Sequence, residues 1–61
     1  MGRRLKALRE AQGLSRQALA ELAGISRESV RLLEAGRFDP TLGMLTKLAR
    51  ALKTTLPDLM K

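Results

Sequence analysis

The sequence has no cysteine and no histidine, and Phe38 is its one aromatic residue. Lack of cysteine removes disulfides and thiol nucleophiles. Lack of both residues removes the usual zinc ligands and the side chain that does most acid–base work near neutral pH. One aromatic ring makes no stacking platform for single-stranded nucleic acid, and the want of tryptophan and tyrosine disfavours a segment lying in a membrane interface. No apolar stretch is long enough to span a bilayer, and the start, MGRRLKALRE, carries charge without the apolar core of a signal peptide. The six acidic residues are scattered among basic neighbours, with no two placed for a shared metal or catalytic site. The expectation is a protein with no catalytic residue, no metal, no cofactor, no membrane partner and no evident small-molecule ligand. The missing cysteine also fits a reducing, cytoplasmic compartment.

What is present is basic and short. Twelve Lys and Arg stand against six Asp and Glu, a net charge of +6, which suits a polyanionic partner but equally suits a merely soluble surface. Sixty-one residues predict one domain, 1–61, with no room for a second, catalytic one. A chain of this size buries only about 60% of the surface its unfolded form exposes, so its core has little margin.

The densest signals lie between Arg16 and Gly36, RQALAELAGISRESVRLLEAG. Ser15 precedes this stretch as a cap whose hydroxyl accepts an otherwise unpaired N–H of the first helical turn, and Leu14 before it can fold onto Leu19 as a hydrophobic staple. Ile25, Ser26 and Val30 repeat the device and open the next helix. Between the two, Gly24 suits a left-handed stop, which a Cβ would penalise. Ala20 faces the corner, where only a small side chain lets the helices approach.

On the second of these helices, Val30 and Leu33 point inward at ~100° per residue, while the opposite arc carries Arg27, Glu28 and Arg31 with Leu32 at its edge. Arg27 and Arg31 form a like-charge pair one turn apart. Arg16 and Arg27 sit in first turns, where the helix dipole disfavours cations. Three small penalties gathered on one surface make sense if a polyanion receives those guanidiniums, through its phosphates or the acceptor edge of a base.

At these residues the chain resembles the helix-turn-helix domains of the Xre, Cro and phage-repressor type. The resemblance runs through RLKALRE, G-L-S before the second helix, the small Ala20, the turn Gly24, the I-S opening of the third helix, Val30, L-L-E-A-G, a proline before the fourth helix, and KLARAL. It implies an all-α, lambda-repressor-like five-helix bundle in which the second and third helices form the helix-turn-helix. It further implies sequence-specific binding of double-stranded DNA by a small transcription regulator, with the third helix in the major groove and a homodimer on a palindromic operator. A protein-interaction adaptor that keeps the fold, or a DNA-binding antitoxin, are the alternatives.

In chain order, the first helix is expected from about Arg3 to Gln12, with Leu5 and Leu8 buried, Gly13 as its stop, and Arg3 and Arg4 at a mobile end. The resemblance pairs Arg9 with Glu34 and leaves guanidinium donors for a phosphate; the plain alternative is an exposed Arg9 in a surface pair. Gly36 and Pro40 bound a loop carrying Arg37 and Phe38, the latter read as a packing lid. Thr41 caps a fourth helix, LGMLTKLARAL, whose buried side is Leu42, Leu45, Leu48, Ala49 and Leu52. Gly43 is a poor helix former within it. Lys53 stands where the family often has glycine, which makes a left-handed stop there costly. A last short helix runs from Thr55 to about Met60, with Leu56 closing the core and Leu59 and Met60 either joining it or forming an edge for a second copy.

The chemistry then divides the candidate site. Arg27 is expected to read guanine, whose O6 and N7 accept a bidentate guanidinium, and Leu32 to touch a thymine methyl. Glu28 either accepts from cytosine N4 or orients an arginine, and Arg31 either reads a base or holds a phosphate. Arg16, Gln17 and Arg37 are expected on the backbone, with Arg9 and Ser26 as further phosphate candidates, Ser26 being chiefly a cap. Ala20, Gly24 and Val30 set the geometry of the motif.

Overall fold

Four Ser or Thr residues and four left-handed turns divide the chain into its helices. The computed structural model describes residues 1–61 and contains α1 (Gly2–Ala11), α2 (Arg16–Ala23), α3 (Arg27–Glu34), α4 (Leu42–Ala51) and α5 (Leu56–Leu59), with no strand. The hydroxyls of Ser15, Ser26, Thr41 and Thr55 accept the backbone N–H groups of Ala18, Ser29, Met44 and Asp58, so each helix after α1 starts on a side-chain cap. The expected caps are the observed ones.

The stops repeat as regularly. After α1, α2 and α3 the chain turns through Gly13, Gly24 and Gly36, with φ near +70°, and after α4 through Lys53, with φ +55°. At each, the turning residue and its successor return their N–H groups to the last turn. At the corner of α2 and α3, Gly24 N donates to Glu21 O and Ile25 N to Ala20 O. At the end of α4, Lys53 N donates to Arg50 O and Thr54 N to Ala49 O. The same joint is thus built on a lysine, whose side chain makes the turn costly without preventing it. An exposed L-residue in this conformation carries about 1–2 kcal/mol of backbone strain. Lys53→Gly is expected to recover about 1 kcal/mol of it after glycine's larger unfolded-state entropy is deducted. In a thermal melt this is a rise of about 4–8 °C; an unchanged or lower midpoint would mean that Lys53 is not held left-handed in solution.

The core is aliphatic. Leu5, Leu19, Val30, Leu33, Leu48, Leu52 and Leu59 are almost completely buried, with Ala20, Ala23 and Ala49 filling the close approaches. Leu8, Leu14, Ile25, Leu45 and Leu56 pack against them half-buried. α2 packs chiefly on α3 and α4, while α1 lies on α3 and α5. No helix is long and apolar enough to cross a membrane.

Two expectations are corrected and one left open is resolved. Leu42, placed on the buried side of α4, is 70% exposed. It is the first helical residue, and because side chains tilt toward the helix N-terminus it projects past the end of the packed turns. Leu59 belongs to the core, whereas Met60 beyond it is exposed. The N-terminal arginines are not both loose: α1 begins at Gly2, and Arg4 Nε donates to Asp58 O at 2.9 Å, tying α1 to α5. Gly2 itself lies so close to the end of α3 that a Cβ there would clash with Glu34 O.

Candidate nucleic-acid interface

The site is assembled around a buried carboxylate at the end of α3. Glu34, whose side chain is 3% exposed, receives Arg9 Nε at 2.6 Å and Arg9 Nη2 at 3.3 Å from α1, and Arg16 Nε at 3.0 Å from α2. Arg9 Nη1 donates to Leu14 O at 2.7 Å, at the entry to α2. One ionic knot therefore joins α1, the cap region of α2 and the last turn of α3. Burial pushes the Glu34 carboxyl up, but the hydrogen bonds and charges of Arg9 and Arg16 outweigh it and hold the group below its ordinary value. Its bond to Glu34 raises Arg9 against the opposing effect of burial. The pairing of Arg9 with Glu34 is as the resemblance implied. Three of the five guanidinium N–H groups of Arg9 face inward, so its first duty is structural and only the remainder is left for a phosphate.

Arg16 serves both sides. Its Nε is held by Glu34, yet its side chain is 44% exposed, with Nη1 and Nη2 free of protein partners. It lines an open cleft of about 490 Å³ with Lys6, Arg9, Glu10, Ser15, Gln17 and Arg27 and no apolar residue. Four cations thus face one acid where α1 meets the first turns of α2 and α3, and those turns add unpaired backbone N–H groups to the positive field. Residue spacing does not single out Lys6, because nothing in the local pattern of α1 distinguishes it from other outward charges; it enters the site by proximity to α2 and α3.

The outer face of α3 is as its periodicity requires. Val30 and Leu33 are buried, Arg27, Glu28 and Arg31 are exposed, and Leu32 is half-buried at the edge. Arg27 has no hydrogen-bond or ionic partner in the protein. Arg31 is occupied, with Nε 2.8 Å from Glu28 Oε1 and Nη2 2.6 Å from Glu28 Oε2. That fork lowers the Glu28 carboxyl and raises the Arg31 guanidinium. Ser26 is doubly engaged, accepting from Ser29 N at 3.0 Å and sharing a bond with Ser29 Oγ at 2.8 Å. Gln17 is exposed and only loosely bonded to Glu21, at 3.5 Å. Arg37 is exposed in the loop after α3 and is not among the residues lining the cleft. Phe38, beside it, is 39% exposed and borders an apolar groove with Met1, Leu33, Pro40, Leu45 and Met60.

The corner holds these parts in place. Ala20 of α2 is 4% exposed and its carbonyl accepts the Ile25 N–H, Val30 is fully buried, and Gly24 makes the turn.

The fold is shared with known proteins. A helix-turn-helix family model matches residues 5–59. The solved restriction-modification controller protein C.AhdI from Aeromonas hydrophila is similar at a TM-score of 0.93 and 41% identity, over 95% of this chain and 88% of that one. An HTH-type transcriptional regulator of Archaeoglobus fulgidus is 32% identical over 97% of this chain and 84% of its own length. The prophage-derived HTH-type transcriptional regulator YonR of Bacillus subtilis is 38% identical over 98% of this chain, which spans only 56% of YonR. With its buried Arg–Glu knot, its glycine-turned corner and the arginines on the outward face of its third helix, a chain so matched belongs to the Cro/C1-type helix-turn-helix family of DNA-binding transcriptional regulators.

Proposed function

We propose that this regulator reads a specific duplex sequence with α3 in the major groove while the cleft beside it grips the phosphate backbone. The observation that carries the reading is Arg27: an exposed arginine with no partner in the protein, in the first turn of the outward helix, on the rim of a cleft that also holds Lys6, Arg16 and Gln17. Arg27 reads guanine, Leu32 meets a thymine methyl, and Arg16, Gln17, Lys6 and Arg37 bind phosphates. Ser26 stays a cap, and what is left of Arg9 supports Arg16. The protein works as a homodimer on a two-fold-related site in the cytoplasm. An eight-residue α3 is about 12 Å long and meets only about four base pairs, too few to define an operator alone. The groove bordered by Phe38 and Met60 is the apolar surface available to the second copy.

Selection of bound sites from a random duplex pool tests the core of this reading. A palindrome is the expected product, and its spacing gives the separation of the two α3 helices. Arg27→Ala is expected to cost about 1–3 kcal/mol on that site and to relax the preference at one base pair per half-site. Arg37→Ala is expected to weaken all sequences alike, and to make the slope of log affinity against log salt shallower by about one per protomer. A duplex affinity insensitive to salt would favour a protein-interaction adaptor. Uniform loss in Arg27→Ala with every base preference kept would remove that residue from sequence reading.

A further inference from the structure

The Glu28–Arg31 fork lies on the reading face of α3 but does little for the fold. Both side chains are more than half exposed, 63% and 51%, and the two residues belong to the same helix, so the pair joins no separate elements. An exposed pair of this kind contributes little to stability. Its consequence lies in which donors it leaves. Glu28 takes Nε and one Nη2 proton, the side edge of the guanidinium. Three N–H groups remain, two on Nη1 and one on Nη2, and one from each nitrogen lie parallel along the end edge. That edge matches the O6 and N7 acceptors of guanine. The carboxylate also cancels the charge of Arg31, so the pair has no net attraction for a phosphate. Arg27, one turn earlier on the same face, has no such partner.

We propose that Glu28 is a positioning and specificity-determining residue that acts through Arg31: the fork presents the end edge of the guanidinium to a guanine and withholds the arginine from the DNA backbone. The inference rests on α3 lying in the major groove. Within that reading it assigns opposite electrostatic characters to two arginines on one helix. Arg27 brings its whole positive charge to the base it reads, whereas Arg31 is a neutralised, oriented reader that strengthens only the correct complex. A free Arg31 would swing to any phosphate within reach; a held one keeps a single direction, and its carboxylate partner repels a phosphate that takes the place of the base.

The test uses the full chain, the site selected by the wild type, its single-base variants and a scrambled duplex, with thermal melts confirming that each variant is folded. Glu28→Gln is expected to raise affinity for the scrambled duplex and steepen its salt dependence by about one per protomer, because a cation is released to the backbone. The same variant is expected to lose on the order of tenfold in preference at one guanine per half-site. Glu28→Asp keeps the charge near the helix start but is too short for the fork; it should lose that base preference and steepen the salt slope less than Glu28→Gln does, because the retained carboxylate still offsets part of the Arg31 charge. Arg31→Ala should lose preference at the same base pair, and adding Glu28→Gln to it should remove no more. Loss of affinity for all sequences alike in Glu28→Gln would overturn the proposal, because Glu28 would then merely support the helix start. So would preferences lost at different base pairs in the Glu28 and Arg31 variants. If the wild type selects no preferred site, the major-groove reading fails and this inference fails with it; if a site is recovered but the Glu28 variants keep every preference, only the inference is lost.

Discussion

Replacing Glu34 with alanine is expected to cost about 3–5 kcal/mol, because it strands the buried Arg9 guanidinium without its counter-charge. For a domain of this size that is most of the available stability, and the variant should be largely unfolded at temperatures where the wild type is native. Glu34→Gln keeps the shape and one acceptor and should lose less. Replacing both partners, as in Arg9→Met with Glu34→Leu, should be more stable than Glu34→Ala, since an apolar pair leaves no buried charge behind. Urea titrations of the three variants decide this. A Glu34→Ala protein as stable as the wild type would mean that the knot is open to water in solution. The same carboxylate sets an acid limit. Folding lowers the Glu34 pKa, so the unfolded chain binds the proton more readily; the stability drawn from the knot is whole above the ordinary value of 4.5 and is lost as pH falls through the lower folded value. Glu34→Gln should flatten that part of the stability profile.

Ala20→Leu should destabilise at the upper end of about 1–3 kcal/mol. The residue is 4% exposed at the joint of α2 and α3, and its carbonyl also accepts the Ile25 N–H that closes the turn. Three added carbons have no space unless α3 tilts away from α2, so DNA affinity should fall even at temperatures where the variant is folded. Ala20→Gly separates the two effects. It weakens the helix by about 1 kcal/mol without a wedge, and its folded form should bind DNA nearly as the wild type does. Calorimetry paired with duplex titration checks both. Retention of melting temperature and affinity by Ala20→Leu would show that the helices do not meet at this side chain.

Much of the architecture was legible because its causes are local. A cap needs a hydroxyl and an N–H three residues on, so Ser15, Ser26, Thr41 and Thr55 announced four helix starts without reference to the rest of the chain. A glycine that turns left-handed is likewise a property of one residue, and the outward face of α3 follows from helical spacing alone. The pairing of Arg9 with Glu34 spans α1 and α3, and it came from family resemblance; spacing and periodicity do not indicate it.

Tertiary structure alone decided the rest, because each case depends on what lies across a gap between elements distant in sequence. Lys6 and Arg16 are outward cations on separate helices until the fold brings them to one cleft. Arg16 reads as a simple phosphate clamp, yet Glu34 holds its Nε and leaves only the far nitrogens to a ligand. Leu42 keeps the apolar spacing of α4 and still stands in solvent, since periodicity gives the direction of a side chain but not whether a neighbour is there to meet it. Lys53 shows the converse. Its own preference opposes a left-handed turn, and the packing of α4 and α5 around Leu52 and Leu59 imposes one, because the burial of those two side chains outweighs the strain at a single exposed residue.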